Sequence, residues 1–160
     1  MRSNDFVPPA QYYATLPAVH VSAGVLLTDP ADRVLLVKPN YRPHWAFPGG
    51  IADDGEAPHH CAQREAAEET GLTVAPGLLL VVDWAPAAGD RHRPIMNFLF
   101  DAGTADPDDI VVQDTELDDV AFFDWDAAPA HFPANTAARI PAARQARKDA
   151  RTIYLPSQRA

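Results

Sequence analysis

Between Pro58 and Thr70 the chain runs without an interior proline or glycine, and no β-branched residue occurs before Thr70 itself. A helix is the natural reading. Pro58 suits the first helical turn, where its missing N–H costs nothing, and Gly71 suits the left-handed residue just past the end. On such a helix Glu65, Glu68 and Glu69 stand at i, i+3 and i+4 and share one face. Like charges at that spacing repel by about 0.2–0.5 kcal/mol per pair even when solvated. Partial burial raises the cost, and a hard divalent cation relieves it. Mg²⁺ takes oxygen ligands, tolerates few protein carboxylates and keeps waters for a phosphate. A plain solvated acidic face would explain two glutamates, but it leaves the residues around the helix unexplained.

Those residues are the turn Pro48-Gly49-Gly50, Glu56 before the helix and Arg64 beside the acids. Gly50, Glu56, Arg64, Glu65, Glu68, Glu69 and Gly71 fill every fixed position of the Nudix box, and the stretch Gly50–Leu72 therefore resembles the Nudix hydrolases, the MutT-like family. The one soft departure is Ala66, where the family usually has a larger aliphatic residue. The packing under the helix should be looser for it, with the chemistry untouched.

Taken in order, residues 1–18 read as an irregular arm, because Pro8-Pro9 and Pro17 block regular structure; Tyr12 and Tyr13 are expected to pin it to the body. Val19–Thr28 and Arg33–Lys38 read as two strands joined by the turn Asp29-Pro30-Ala31-Asp32, a hairpin signal. A loop over Pro39–Pro43 leads to the short extended run His44–Phe47, in which Trp45 and Phe47 read as packing groups. Ala57 stands where a helix prefers a Ser or Asp cap, which weakens the helix start by about 1 kcal/mol. Gly77–Trp84 is an apolar run typical of a strand buried on both faces. Pro86–Arg93 is a loop, Ile95–Phe100 a strand, Ala105–Asp119 an acidic loop and Val120–Phe123 a last strand. After a turn over Trp125–Ala130, residues 135–152 read as a surface helix with Arg139, Arg144, Arg147, Lys148 and Arg151 on a solvated face. The expected architecture is an α/β (α+β) sandwich, a mixed sheet between helices, in a single domain over residues 1–160.

Composition removes several classes of function. A net charge of −9 gives no basic face for a nucleic-acid polymer. It still admits an anionic phosphate substrate, provided metal ions carry the local positive charge. Cys61 is the single cysteine, so no internal disulfide forms and a reducing compartment follows. Beside carboxylates its thiol is a poor nucleophile. Arg2-Ser3-Asn4-Asp5 opens no signal peptide and no run of about 18 apolar residues spans a membrane. The expectation is a cytoplasmic protein, with a homodimer left open.

The resemblance implies Mg²⁺-dependent hydrolysis (Mn²⁺ an acceptable substitute) of a nucleoside diphosphate linked to another moiety: a nucleoside triphosphate, a nucleotide sugar or an ADP-ribose-like compound. It further implies Gly50 (through its carbonyl), Glu65, Glu68 and Glu69 as metal ligands, with one glutamate serving or orienting the general base. Arg64 would hold the acids in place through Glu56 or Glu68. The family often adds a carboxylate from the loop before the last strand, and Glu116 matches that position best within a loop that also holds Asp114, Asp118 and Asp119. Arg42, Arg91 and Arg93 are candidate phosphate contacts, and equally candidate solvated side chains. Pro86 falls one residue short of the proline that ADP-ribose enzymes tend to carry. Two competitors remain: a Nudix domain that binds a nucleotide without cleaving it, and a prenyl-diphosphate isomerase, whose separate cysteine motif Cys61 does not supply.

Overall fold

A computed structural model describes residues 6–112 and 115–156. Its frame is laid by β1 (His20–Thr28), whose apolar residues alternate between two cores. Ala23, Val25 and Leu27 point to one side with Leu35, and Leu26 points to the other with Val34 and Leu36. That alternation is what a strand with helices on both faces requires. One edge of β1 pairs parallel with β5 (Ile95–Thr104), in register His20↔Ile95 through Leu26↔Asp101. The other edge is shared antiparallel by β2 (Val34–Pro39), which joins at Thr28, and β3 (Gly49–Ile51), which joins at residues 22–24. β4 (Leu79–Ala85) continues the sheet beyond β5, and β6 (Leu117–Phe123) flanks β2. A two-residue β7 (Ile153–Tyr154) closes the far edge in the order β6-β2-β1-β5-β4-β7.

Two helices cover the sheet. On one face α2 (Pro58–Thr70) lies across β1 through Cys61, Ala62 and Ala66, all fully buried. It starts at Pro58 with no side-chain cap on Ala57 and ends at Gly71, whose φ of 71° is the left-handed value its position calls for. On the other face α3 (Arg139–Asp149) buries Ile140, Ala143 and Ala146 against Leu26, Leu80 and Val81. The mixed sheet between helices is as expected.

Four readings are corrected. The arm is not wholly irregular: Pro9–Ala14 form a short helix, here α1, because a proline is tolerated at a helix's first position. Tyr12 and Tyr13 do not anchor it, being 52% and 69% exposed and packed edge to face on each other. The acidic loop ends earlier than Asp119, since Asp118 and Asp119 already belong to β6, which pairs with β2 (Asp119 opposite Lys38); Asp114 falls outside the described residues. The last helix starts at Arg139, and two of its basic residues are engaged with the sheet. Arg139 donates to buried Asp83 at 2.6 Å, and Arg147 donates twice to Asp101, at 3.0 and 2.7 Å. Among the described residues no helix is long and apolar enough to cross a membrane.

Candidate active site

A cleft of about 360 Å³ opens between β3, the second half of α2 and the α3-facing side of the sheet. Gly49, Gly50, Glu65, Glu69 and Glu116 line its outer end. Helix periodicity puts Glu65 and Glu69 one turn apart on the face turned to β3. The Gly49 N–H donates to Glu69 Oε2 at 2.9 Å, tying the helix to the strand. Gly50 lacks a side chain where Glu65 needs the space: a Cβ there would stand 2.4 Å from Glu65 Oε1. Glu116 reaches the same end because Asn40 pins its turn. The Asn40 N–H donates to the Glu116 carbonyl at 3.0 Å, and its side-chain amide donates to the Thr115 carbonyl at 2.9 Å.

Arg64 organises the acids from below. Its guanidinium donates to both Glu56 oxygens at 3.0 and 2.9 Å, to Glu65 at 2.9 Å and to Glu68 at 3.1 Å. Both pairings considered for Arg64, with Glu56 and with Glu68, are therefore made. The guanidinium and the Asp53 N–H hold the Glu56 carboxyl down at about 2. Glu65 shifts the other way, upward, chiefly through burial, and Glu68 and Glu116 add to it. Glu69 is 7% exposed; burial, with Glu65 and Glu116 nearby, pushes its carboxyl up to about 7. Burial, Glu56 and Glu65 push the Cys61 thiol up to about 11, consistent with its being no nucleophile.

Among the described residues no three His, Cys, Asp or Glu side chains close on a common point as a ready-made metal cage. The donor set nevertheless fits a hard divalent ion. Glu65, Glu69, Glu116 and the Gly50 carbonyl offer oxygen alone, and burial together with the neighbouring carboxylates raises Glu65 and Glu69, a crowding of acids that a hard cation would relieve.

The remaining candidates divide. Arg42 lines the cleft, stacked 5.0 Å from the Tyr41 ring centroid. Arg91 and Arg93 are not among its lining residues; Arg91 instead donates to the carbonyls of Pro86 and Arg93 within its own loop. Glu68 also stands outside the lining, its side chain 58% exposed and held by Arg64. Phe47 is buried and forms part of the cleft wall, whereas Trp45 packs on Phe123. The inner wall was missed from sequence: Ser22, Asp83, Asn97, Phe132 and Arg139. The signal for it was Asp83, one carboxylate inside an otherwise apolar run, a residue type that is almost never buried without a partner.

The box geometry, the mixed sheet and the cleft are those of one family. Residues 18–145 match the model of the NUDIX domain, and the chain belongs to the Nudix family. Within it, the chain is 42% identical over 71 residues (44% of this chain, 48% of the other) to a putative 8-oxo-dGTP diphosphatase of Bacillus subtilis (strain 168). It is 34% identical over 85 residues (51% of this chain, 74% of the other) to the 8-oxo-dGTP diphosphatase of Proteus vulgaris. The match thus spans about half the length of the Bacillus relative. In fold the chain is similar to the MutT protein of Methanosarcina mazei Go1, with a TM-score of 0.70 and 20% identity over 82% of this chain and 97% of that one.

Proposed function

We propose that the protein is a pyrophosphohydrolase that uses Mg²⁺, or Mn²⁺ in its place, to cleave a nucleoside diphosphate linked to another moiety. One observation carries the reading: Glu65, Glu69 and the Gly50 backbone, on a helix and a strand that Arg64 (to the Ile51 carbonyl) and the Gly49 N–H lock together, border the same end of one cleft as Glu116 from the turn before β6. The diphosphatase names of the Bacillus and Proteus relatives support it.

In this reading Gly50, Glu65, Glu68, Glu69 and Glu116 hold the cation. When bound, it neutralises phosphate oxygens and makes phosphorus more electrophilic. One of the box glutamates takes the proton of the attacking water. The water oxygen forms the new bond to phosphorus as the anhydride P–O bond breaks, and the leaving phosphate carries away the electron pair. Arg64 is a positioning residue that fixes Glu65 and Glu68 without touching substrate. Arg42, at the mouth of the cleft, meets the outer phosphate.

The test is a screen of nucleoside triphosphates, nucleotide sugars and dinucleoside polyphosphates with and without Mg²⁺, products identified by chromatography. Release of a nucleoside monophosphate or of pyrophosphate only with the cation supports the reading. Binding with no turnover of any compound would instead return the non-catalytic domain.

A further inference from the structure

The inner end of the cleft differs in kind from the outer one. Ser22, Asn97 and Asp83 are direct register partners on β1, β5 and β4, so their side chains stand in one row on the α3-facing side of the sheet. Two strand spacings of about 4.8 Å separate the ends of that row. Asp83 is 1% exposed, and Arg139 comes down from the first turn of α3 to donate Nε–H to its Oδ2 at 2.6 Å. Here a carboxylate and a guanidinium face each other, whereas the outer end carries three carboxylates. A phosphate chain with its cation belongs at the outer end and an uncharged heterocycle at the inner one.

The hydrogen-bond inventory narrows the heterocycle. Asn97 is engaged at both ends of its amide: Oδ1 accepts from the Ser22 hydroxyl, and Nδ2 donates to the Asp83 carbonyl at 3.2 Å. Arg139 uses its Nε–H on Asp83, and its two terminal amino groups carry four further N–H donors and no acceptor. Asp83 sets the plane of that fork. Phe47 and Phe132, edge to face with centroids 5.2 Å apart, supply apolar walls for a flat ring.

We infer that Arg139, oriented by Asp83, is a specificity-determining residue that selects a nucleobase with two adjacent acceptors, guanine over adenine. Guanine presents N7 and O6 side by side to a guanidinium; adenine presents N7 beside an amino group, which sets donor against donor. Hypoxanthine shares guanine's edge and is expected to behave as guanine does. The inference rests on the proposed hydrolase reading, and two separate measurements tell their failures apart.

The first measures kcat/KM for GTP, ITP and ATP with Mg²⁺ in the wild type and in Arg139→Lys, which keeps the charge opposite Asp83 but removes the planar fork. The second measures the affinities of GMP and AMP by calorimetry and needs no turnover. A good bidentate pair corresponds to about tenfold or more. GTP and ITP are expected to exceed ATP by at least that factor, and GMP to bind tighter than AMP by the same. In Arg139→Lys both ratios fall to within about threefold. Loss of folding would scale all substrates together and leave the ratios alone. Should Arg139→Lys not fold at all, the wild-type ratios decide. Equal rates for GTP and ATP, equal or absent binding of GMP and AMP, or unchanged ratios in a folded Arg139→Lys overturn the inference. If no nucleotide is cleaved while GMP is still preferred, the hydrolase reading fails and the assignment of Arg139 survives.

Discussion

Gly50 and Glu65 compete for one volume: a methyl group on residue 50 would come within 2.4 Å of Glu65 Oε1. The glycine therefore sets where the carboxylate stands. In Gly50→Ala the flexible Glu65 side chain swings aside, at little cost to folding, and leaves its place at the cleft. A displacement of about 1 Å in a reacting group costs on the order of 100-fold. The expected result is a kcat/KM lower by about that factor, with a melting temperature within a few degrees of wild type. Wild-type turnover in Gly50→Ala would show that the position of Glu65 is immaterial.

Neutral isosteres of the box glutamates separate chemistry from folding. Glu68→Gln and Glu69→Gln are each expected to lower kcat by about 10² or more, the scale of losing one charge-stabilising group. In Glu69→Gln a buried charge beside Glu65 and Glu116 is removed, so the metal-free protein keeps its melting temperature or gains on it. The rise in melting temperature that Mg²⁺ produces in the wild type should shrink in the same variant. Chelation with EDTA should stop turnover in the wild type altogether. Full activity in both variants would remove these residues from the mechanism.

Glu56 predicts a pH dependence of stability. Its carboxyl lies at about 2 in the folded protein, against about 4.5 when free of Arg64 and the Asp53 N–H. A group lowered on folding supports the native state above its unfolded value and withdraws that support as the pH falls toward the folded one. Stability should therefore drop between about pH 4.5 and pH 2. In Glu56→Gln that part of the drop is missing, so the melting temperature falls less steeply over the same interval. Parallel profiles for the two proteins would contradict the Arg64–Glu56 pairing.

Arg147 fastens α3 to the sheet away from the cleft. Besides its two bonds to Asp101 it donates to Thr28 Oγ1 at 3.1 Å and to the Leu26 carbonyl at 3.3 Å. Arg147 and Asp101 are each about a quarter exposed, which tempers the value of the ion pair. Arg147→Ala should cost about 1–3 kcal/mol by urea denaturation, mostly for acceptors left unpaired. At 25 °C its kcat should match the wild type.

The parts of this molecule that could be read from sequence are those whose partners lie close along the chain. Pro58, the unbroken run to Thr70 and Gly71 define α2 by local rules, and Arg64 meets Glu56, Glu65 and Glu68 all within eight residues. Arg139 and Arg147 look in sequence like solvated helix charges, because their carboxylate partners are 56 and 46 residues away on other strands. Spacing along a helix carries no record of such a pairing. The arm failed for a different reason: Pro8-Pro9 were read as breakers, though a proline breaks a helix's interior and not its first turn. Tyr12 and Tyr13 show that aromatic content alone does not predict docking.

The row Ser22, Asn97, Asp83 and the outer group at Gly50, Glu65 and Glu69 draw on different stretches of chain. Residues 49–69 form a short contiguous cassette, completed by Glu116 from the turn before β6, while the inner wall is gathered from β1, β4, β5 and the start of α3. Exchanging single residues of that wall leaves every bond within the cassette in place. A lineage descended from this protein is therefore free to change its diet by altering a strand or two, with the bond-breaking apparatus inherited intact.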